Sequence, residues 1–563
     1  MQHGRKGTQK HPQLAMAMQY QRSLLLCVVL LIGFPLTKSK AVDVEPPVEC
    51  DDLLHRESFD SLEPGFLLGA GTSSYQVEGA WNQSGRGPSI WDNYTHQYPE
   101  RIIDRNNGDI AIDQYHRYQE DVDLIKNIGM DSYRFSISWS RLLPNGKLCG
   151  GVNMEGIKYY NNLIDELLHN GITPFVTLFH WDIPQALVDE YGGLLSPRIV
   201  DHFKDYADLC FMHFGDRVKL WLTLNEPYSI SYYGYAIGTH APGRCSAWQK
   251  LNCTGGNSAV EPYLVTHHQL LCHAATAKLY KIKYQAFQKG AIGIGVVTHW
   301  FKPTSKAKQD IDAANRALDF MYGWFMEPVT TGDYPQSMRT YVGSRLPQFT
   351  KEQSDSLIGS YDFMGINYYS ARYASNPLRN STDPESYVND PHVNVTTELN
   401  GKLIGPRAAS DWLYIYPKGI YDLILYTKEK YNDPAIYITE NGVDEFTNRS
   451  LSLEQALNDT IRVNFHRDHL CHLQAAIISG AKVKGYFAWS IMDNFEWAEG
   501  YRSRFGLYYV DYEGGLTRYP KRSVNWFKTF LKKSQKNTKN IQIHVNDDVE
   551  DIKFFLSNLN PKL

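Results

Sequence analysis

Residues 220–227 read Leu-Trp-Leu-Thr-Leu-Asn-Glu-Pro, and residues 436–442 read Ile-Tyr-Ile-Thr-Glu-Asn-Gly. Each is a short run of apolar and β-branched residues that ends on a glutamate and is then broken by Pro or Asn-Gly. Runs this short and this continuously apolar are expected of strands buried on both faces. Similar runs occur at Gly65–Thr72, Asp131–Trp139, Thr173–His180, Ala291–Thr298, Asp362–Tyr369 and Val483–Trp489, and the two quoted segments extend them to Val218–Asn225 and Ala435–Glu440. Between them lie amphipathic stretches with apolar residues at helical spacing: Arg117–Ile128, Ile157–Leu168, Ile199–Phe214, Tyr263–Gln285, Ala313–Met326, Pro417–Tyr431 and Asp468–Ser479. Eight strands alternating with helices predict an α/β fold built as a single (β/α)8 barrel with extended loops at the C-terminal face of the strands. An open doubly wound sheet is the competing architecture, but no glycine-rich nucleotide fingerprint follows any strand; Gly69-Ala70-Gly71 has neither the third glycine nor the following helix.

The rest of the composition narrows the class. Of 563 residues, 57 are Lys or Arg and 61 are Asp or Glu, so the net charge of −4 provides no field for nucleic acid or an anionic membrane. The hydrophobic fraction of 43% excludes a disordered chain. Residues Ser23 to Leu36 form an apolar run preceded by Lys and Arg and followed by small residues, which reads as a secretory signal cleaved near Ala41, with Met16 and Met18 as alternative starts. The run is shorter than the roughly 20 residues that span a bilayer, so stable membrane insertion is not expected. The organisation is then a leader over 1–41, a linker over 42–54, the (β/α)8 barrel over 55–533 and a tail over 534–563 that opens Lys-rich. The long polar stretch from Ala371 to Ala409 reads as a surface excursion over one end of the barrel.

Catalytic groups of such a barrel sit where strands end. Glu226 and Glu440 each terminate an apolar strand, far apart in sequence but brought to one rim by barrel closure. Two carboxylates at one rim suit general acid–base work on a glycosidic bond, one protonated and one ionised. Taken singly, each is as well read as a capping or salt-bridged acid; the pair is what points to chemistry. Other strand ends add Gln76, His180, Trp181, Asn225, Tyr369, Trp489, Glu496 and Trp497, groups suited to sugar hydroxyls and apolar ring faces. No paired metal-ligand spacing occurs, so neither metal nor other cofactor is expected.

At this point the sequence resembles glycoside hydrolase family 1, most closely its plant β-glucosidases. The resemblance is carried by Phe66–Ala80, Tyr133–Arg141, Thr177–Asp182, Thr223–Pro227, Asn367–Tyr369, Tyr437–Gly442 and Trp489–Trp497, in that order. It implies a retaining β-glucosidase acting on O-glucosides through a covalent glucosyl-enzyme. Glu226 is implied as the acid/base and Glu440 as the nucleophile, with Arg134 and Tyr369 around the nucleophile. Gln76, His180, Trp181, Asn225, Tyr369, Trp489, Glu496, Trp497 and Phe505 are implied to bind glucose, and Trp412 to form one wall of an aglycone slot with Trp324 nearby. Myrosinases of the family carry Gln where Glu226 stands, so the glutamate argues for O-glycosides; the Glu496-Trp497 pair argues for an unphosphorylated sugar. The expected partner is a small-molecule β-glucoside with a hydrophobic or aromatic plant aglycone. Transglucosylation at the same site, or hydrolysis of cell-wall β-oligosaccharides, is the alternative, and a purely binding role conflicts with two intact glutamates.

Cysteine and sequon usage fits an oxidising compartment. Cys245 and Cys253 bracket a short polar loop and are the expected local disulfide; with Cys50, Cys149, Cys210, Cys272 and Cys471 the odd total leaves at least one thiol free. Sequons at Asn82, Asn93, Asn252, Asn380, Asn394, Asn448 and Asn458 mark expected surface glycosylation. The expected location is the secretory pathway, ending in the cell wall, the extracellular space or the vacuole; homo-oligomerisation stays open.

Overall fold

Apolar strands flanked by amphipathic helices have one way to bury both strand faces, which is to close the sheet on itself with the helices outside. The computed structural model describes residues 54–377 and 383–532 and has this architecture. The strands are β1 (Leu67–Gly71), β2 (Ser132–Ser136), β3 (Thr173–Phe179), β4 (Leu220–Asn225), β5 (Ala291–Pro303), β6 (Phe363–Ser375), β7 (Ile436–Asn441) and β8 (Val483–Trp489). All eight are parallel neighbours in chain order, and pairing of Leu67 on β1 with Gly485 on β8 closes the barrel. The leader, all but the last residue of the linker, the tail, Cys50 and the Asn380 sequon lie outside the described residues.

The lower half of the barrel is plugged by aromatic rings. Phe175 meets the rings of Phe363 and Phe487 edge-on at 5.6 and 5.2 Å, and Leu222 completes the layer. Gly69 is required beside it: a Cβ there would lie 2.3 Å from the Ser132 carbonyl and 2.7 Å from the Phe487 ring. Above this plug the barrel turns polar, with Arg134, Asn225, Asn367, Thr439 and Glu440 all buried.

Three elements differ from the sequence reading. β2 stops at Ser136 rather than at Trp139, because the Ser138 N–H donates to the Tyr160 hydroxyl at 2.7 Å instead of to a neighbouring strand, and Trp139 opens a helical turn. β5 and β6 run past the expected ends to Pro303 and Ser375, pairing with each other from Trp300↔Ala371 to Pro303↔Ala374. The stretch from Ala371 to Ala409 is therefore partly woven into the fold: Asn394–Thr396 pairs antiparallel with β6, and Tyr387 is buried. Its ring stacks on Trp324 at 4.8 Å and its hydroxyl donates to the Phe320 carbonyl at 2.7 Å. Trp324 is fully buried by this packing and stands in the core, not in a ligand slot.

The expected Cys245–Cys253 disulfide is present, with Cα atoms 5.5 Å apart. Cys149, Cys210 and Cys272 are free thiols, whereas Cys471 is also disulfide-bonded. Of the described sequons, Asn82, Asn252, Asn394, Asn448 and Asn458 are exposed and Asn93 is half-buried.

Candidate active site

The ends of β4 and β7 aim the two glutamates inward by local irregularity. Glu226 follows β4 in a left-handed backbone conformation, φ +40°, immediately before Pro227, which begins a helical turn. That conformation is disfavoured for a residue with a Cβ and has to be held by its surroundings. Glu440 sits where the ladder between β7 and β6 slips, between Ile438 and Glu440, a bulge that re-aims the side chain.

The hydrogen bonds around the pair form one network whose polarity is set by a single residue. Arg134 can only donate. It gives one bond to Glu440 Oε1 at 2.7 Å and one to Asn225 Oδ1 at 2.6 Å. Asn225 must therefore turn its amide nitrogen to His180, and Nδ2 lies 2.9 Å from His180 Nε2. That imidazole nitrogen has to accept, so His180 is neutral and carries its proton on Nδ1. Burial and the Arg134 charge both push the His180 pKa well below the usual imidazole value, in keeping with this assignment.

The same logic orients Asn367. Its Nδ2 donates to Asn225 Oδ1 at 3.1 Å and to Glu226 Oε1 at 2.7 Å, while its own Oδ1 accepts from Thr439 Oγ1 at 2.6 Å. Glu226 Oε2 pairs with Ser229 Oγ at 2.6 Å. On Glu440 the second oxygen accepts from the Tyr369 hydroxyl at 2.6 Å. A buried carboxylate is tolerated only when paired and hydrogen-bonded, and Glu440 has a guanidinium on one oxygen and a phenol on the other. Glu226 has no cation of its own. Burial first, and the Glu440 charge second, push its pKa up to about 8.

Both glutamates face one cavity of about 280 Å³. Its walls include His180, Trp181, Tyr369, Trp489, Glu496, Trp497, Phe505 and Trp412, so most of the side chains expected from the sequence converge there. Glu496 is also kept toward its neutral form, by burial and by Asp444 and Glu440. His180 Nδ1 and Glu496 Oε1 are buried polar atoms with no hydrogen-bond partner among the described residues.

A chain with this barrel and this carboxylate pair can be set against known proteins. The family model for glycosyl hydrolase family 1 matches residues 58–536. The chain belongs to glycosyl hydrolase family 1. It is 58% identical over 509 residues to β-glucosidase 12 of Oryza sativa subsp. indica, an alignment covering 90% of this chain and 98% of that protein. It is 53% identical over 516 residues to the raucaffricine-O-β-D-glucosidase of Rauvolfia serpentina, covering 88% of this chain and 96% of that one. Among solved structures, a rice β-glucosidase mutant in a covalent complex with Glc superposes with a TM-score of 0.83 at 50% identity, covering 85% of this chain and 100% of the other. The activity is that of a retaining family 1 β-glucosidase on O-glucosides.

Within this family 1 site, three of the expected residues stand behind the cavity wall. Gln76 is fully buried: its Nε2 donates to Asn494 Oδ1, the Phe495 carbonyl and Glu496 Oε2, and its Oε1 accepts from Ser73 Oγ. It braces Glu496. Arg134 and Asn225 are likewise spent on the network described above. Sequence reasoning passed over Asn367 and Ser229, which hold Glu226, although Asn367 begins the Asn-Tyr-Tyr motif. It also passed over Tyr228, Tyr233, Val297, His299 and Met321, which line the same cavity. Val297 and His299 were within reach of the strand-end rule, but β5 continues beyond them.

Proposed function

We propose that Glu440 is the nucleophile and Glu226 the general acid/base of a β-glucosidase that takes glucosides of apolar, ring-shaped aglycones. The observation that carries the role assignment is the asymmetry of the carboxylates: Glu440 is ion-paired and doubly hydrogen-bonded, whereas Glu226 has its pKa raised to about 8. Below that pH Glu226 holds a proton. Asn367 Nδ2–H donates to its Oε1 and the Ser229 hydroxyl to its Oε2, bonds that only partly offset the rise.

Glu440 attacks the anomeric carbon as Glu226 delivers this proton to the departing glycosidic oxygen. The glucosyl ester that forms removes the Glu440 charge, and with it one of the two causes of the raised Glu226 pKa. Glu226, now a carboxylate, takes a proton from water as it attacks from the face the aglycone left. Two inversions give net retention. His180 Nδ1–H, fixed as a donor by the Arg134–Asn225 chain, and Glu496 Oε1 meet hydroxyls of the sugar. An unpartnered buried polar group costs about 1–3 kcal/mol, so these atoms favour a ligand that satisfies them over one that lacks the hydroxyl.

The aglycone preference rests on Trp412 and Phe505, whose rings stack at 6.5 Å with an interplanar angle of 22° in a cavity that Val297 and Met321 also line. Trp412 is 36% exposed, an open indole face of the kind that stacks on flat ligands. Relatives at 53% and 54% identity are named as a raucaffricine-O-β-D-glucosidase and a furostanol glycoside 26-O-β-glucosidase. Passage through the secretory pathway, with glycosylation of the exposed sequons, completes the proposal and rests on the apolar leader and the disulfides. The test is proton NMR of the first product from an aryl β-glucoside together with turnover on a panel of natural glucosides and short β-glucans. Initial β-glucose and preference for ring aglycones are expected; initial α-glucose refutes the roles, and a preference for β-glucans refutes the slot.

A further inference from the structure

Outside the active site, the described residues form a groove of about 1110 Å³, and nothing in the catalytic cycle uses it. It is as large as or larger than the usual small-molecule site. Its floor carries half-buried aromatic residues, Phe446, Tyr501, Tyr509 and Tyr512. Its rim exposes large aliphatic side chains: Ile103 is 54% exposed, Ile110 65%, Leu451 43% and Leu453 40%. All four line this one groove, and large aliphatic side chains exposed together are surface that soluble proteins generally cover. Between them stand hydrogen-bonding groups, Asp104, Asp511 and Glu513 among them. A mixture of aromatic faces, aliphatic rim and carboxylates is the surface that binds a carbohydrate.

The sequence supplies that carbohydrate in place. Asn448 is itself part of the groove wall and heads the sequon Asn448-Arg449-Ser450. It is exposed, in the loop after the short strand Glu445–Phe446. Its Oδ1 accepts from the Ser450 N–H at 3.0 Å and from Ser450 Oγ at 2.7 Å. No hydrogen bond engages its Nδ2 among the described residues, and that nitrogen is the atom to which an N-glycan is joined.

Resting on the secretory passage proposed above, we propose that Asn448 carries an N-linked glycan whose core lies along this groove and covers Ile103, Ile110, Leu451 and Leu453. The step is transfer of the oligosaccharide from its lipid diphosphate donor in the secretory pathway: a C–N bond forms at Asn448 Nδ2, the sugar–phosphate bond breaks, and one amide proton leaves. The glycan braces a functional segment. Glu445 and Phe446 pair with Arg504 and Ser503, and the Thr447 N–H donates to the Arg502 carbonyl at 2.8 Å. Trp497 and Phe505, which line the active-site cavity, flank Arg502–Arg504 in sequence.

The test uses the full chain secreted from a eukaryotic host. Site-by-site mass spectrometry is expected to find Asn448 occupied. Under native conditions an amidase that releases N-glycans is expected to remove the glycan at Asn82 faster than that at Asn448, with equal rates after denaturation. Asn448→Gln and Ser450→Ala, which both remove the sequon, are expected to lower Tm alike and more than Asn82→Gln, with kcat on an aryl glucoside unchanged. An unmodified Asn448 overturns the proposal. So does an occupied Asn448 released as readily as Asn82 from native protein, because the glycan would then stand free in solvent and the groove would be open to another ligand.

Discussion

Glu226→Gln isolates the proton from everything else this side chain does. Glutamine matches the volume of glutamate; its carbonyl can still accept from Asn367 Nδ2, and the Ser229 hydroxyl, which donates to Glu226 Oε2 in the native protein, can rotate to accept from the new amide, so both partners, at 2.7 and 2.6 Å, stay engaged. What is lost is proton donation. With a pKa of about 8, the native carboxyl is close to fully protonated at pH 6. General acid assistance contributes about 10²–10⁴-fold. For alkyl and unactivated aryl glucosides, whose leaving groups need the proton, kcat/KM is expected to fall by about that factor, the equivalent of about 3–5 kcal/mol. For a dinitrophenyl glucoside the glucosylation step is expected to be nearly unchanged, while the water attack loses its base. Stopped-flow measurement should then show a burst of dinitrophenol equal to the enzyme concentration, followed by slow turnover. The native enzyme should lose kcat/KM for unactivated substrates as pH rises through about 8, and the variant should lack this alkaline limb. Equal losses on both substrate classes without a burst, or a native alkaline limb near pH 5, would refute the assignment of Glu226 as acid.

Further outcomes follow from the same geometry. Glu440→Gly should abolish hydrolysis of the dinitrophenyl glucoside; azide should restore turnover and give α-glucosyl azide, identified by NMR, whereas β-glucosyl azide would exclude Glu440 as nucleophile. The raised pKa of Glu226 also has a stability cost: ionisation favours the unfolded chain, so the penalty is absent below about pH 4.5 and grows by up to about 1.4 kcal/mol per pH unit until about 8. Glu226→Gln should therefore raise Tm more at pH 8 than at pH 5, by calorimetry; a gain independent of pH would count against it. Trp412→Ala should raise KM for aryl glucosides about 2- to 13-fold, from about 0.5–1.5 kcal/mol of lost stacking, and alter cellobiose hydrolysis much less. Trp324→Ala, in the core, should instead destabilise by about 3–5 kcal/mol in denaturant titrations, with KM on the surviving folded enzyme unchanged.

The barrel was legible in the residues because its strands are buried on both faces. Continuous apolar runs such as Leu220–Leu224 and Ile436–Thr439 leave no choice of which side to bury, and a closed parallel sheet is the arrangement that satisfies eight of them. The two glutamates were legible for the complementary reason: a carboxylate that ends such a run enters a buried rim at a cost that chemistry, or an ion pair, must justify. Strand ends held less well wherever pairing partners outside the strand intervened, as at Ser138, whose N–H goes to Tyr160, and at Pro303 and Ser375, where β5 and β6 extend each other.

What only the tertiary structure decided is which oxygen and which nitrogen meet. Local pattern places Glu226 and Glu440 at one rim alike; their different environments come from Arg134 on β2, Tyr369 and Asn367 on β6 and Ser229 beyond β4. Pairwise contacts over such separations in sequence leave no periodic trace. The same holds for Trp324 and Trp412, indistinguishable as letters. Tyr387 folds over the first and buries it, while the second keeps an open face beside Phe505. A sequence states the chemistry each side chain can perform. Long-range packing sets its dielectric, its partners and its exposure, and these divide the residues that react from those that only hold the barrel together.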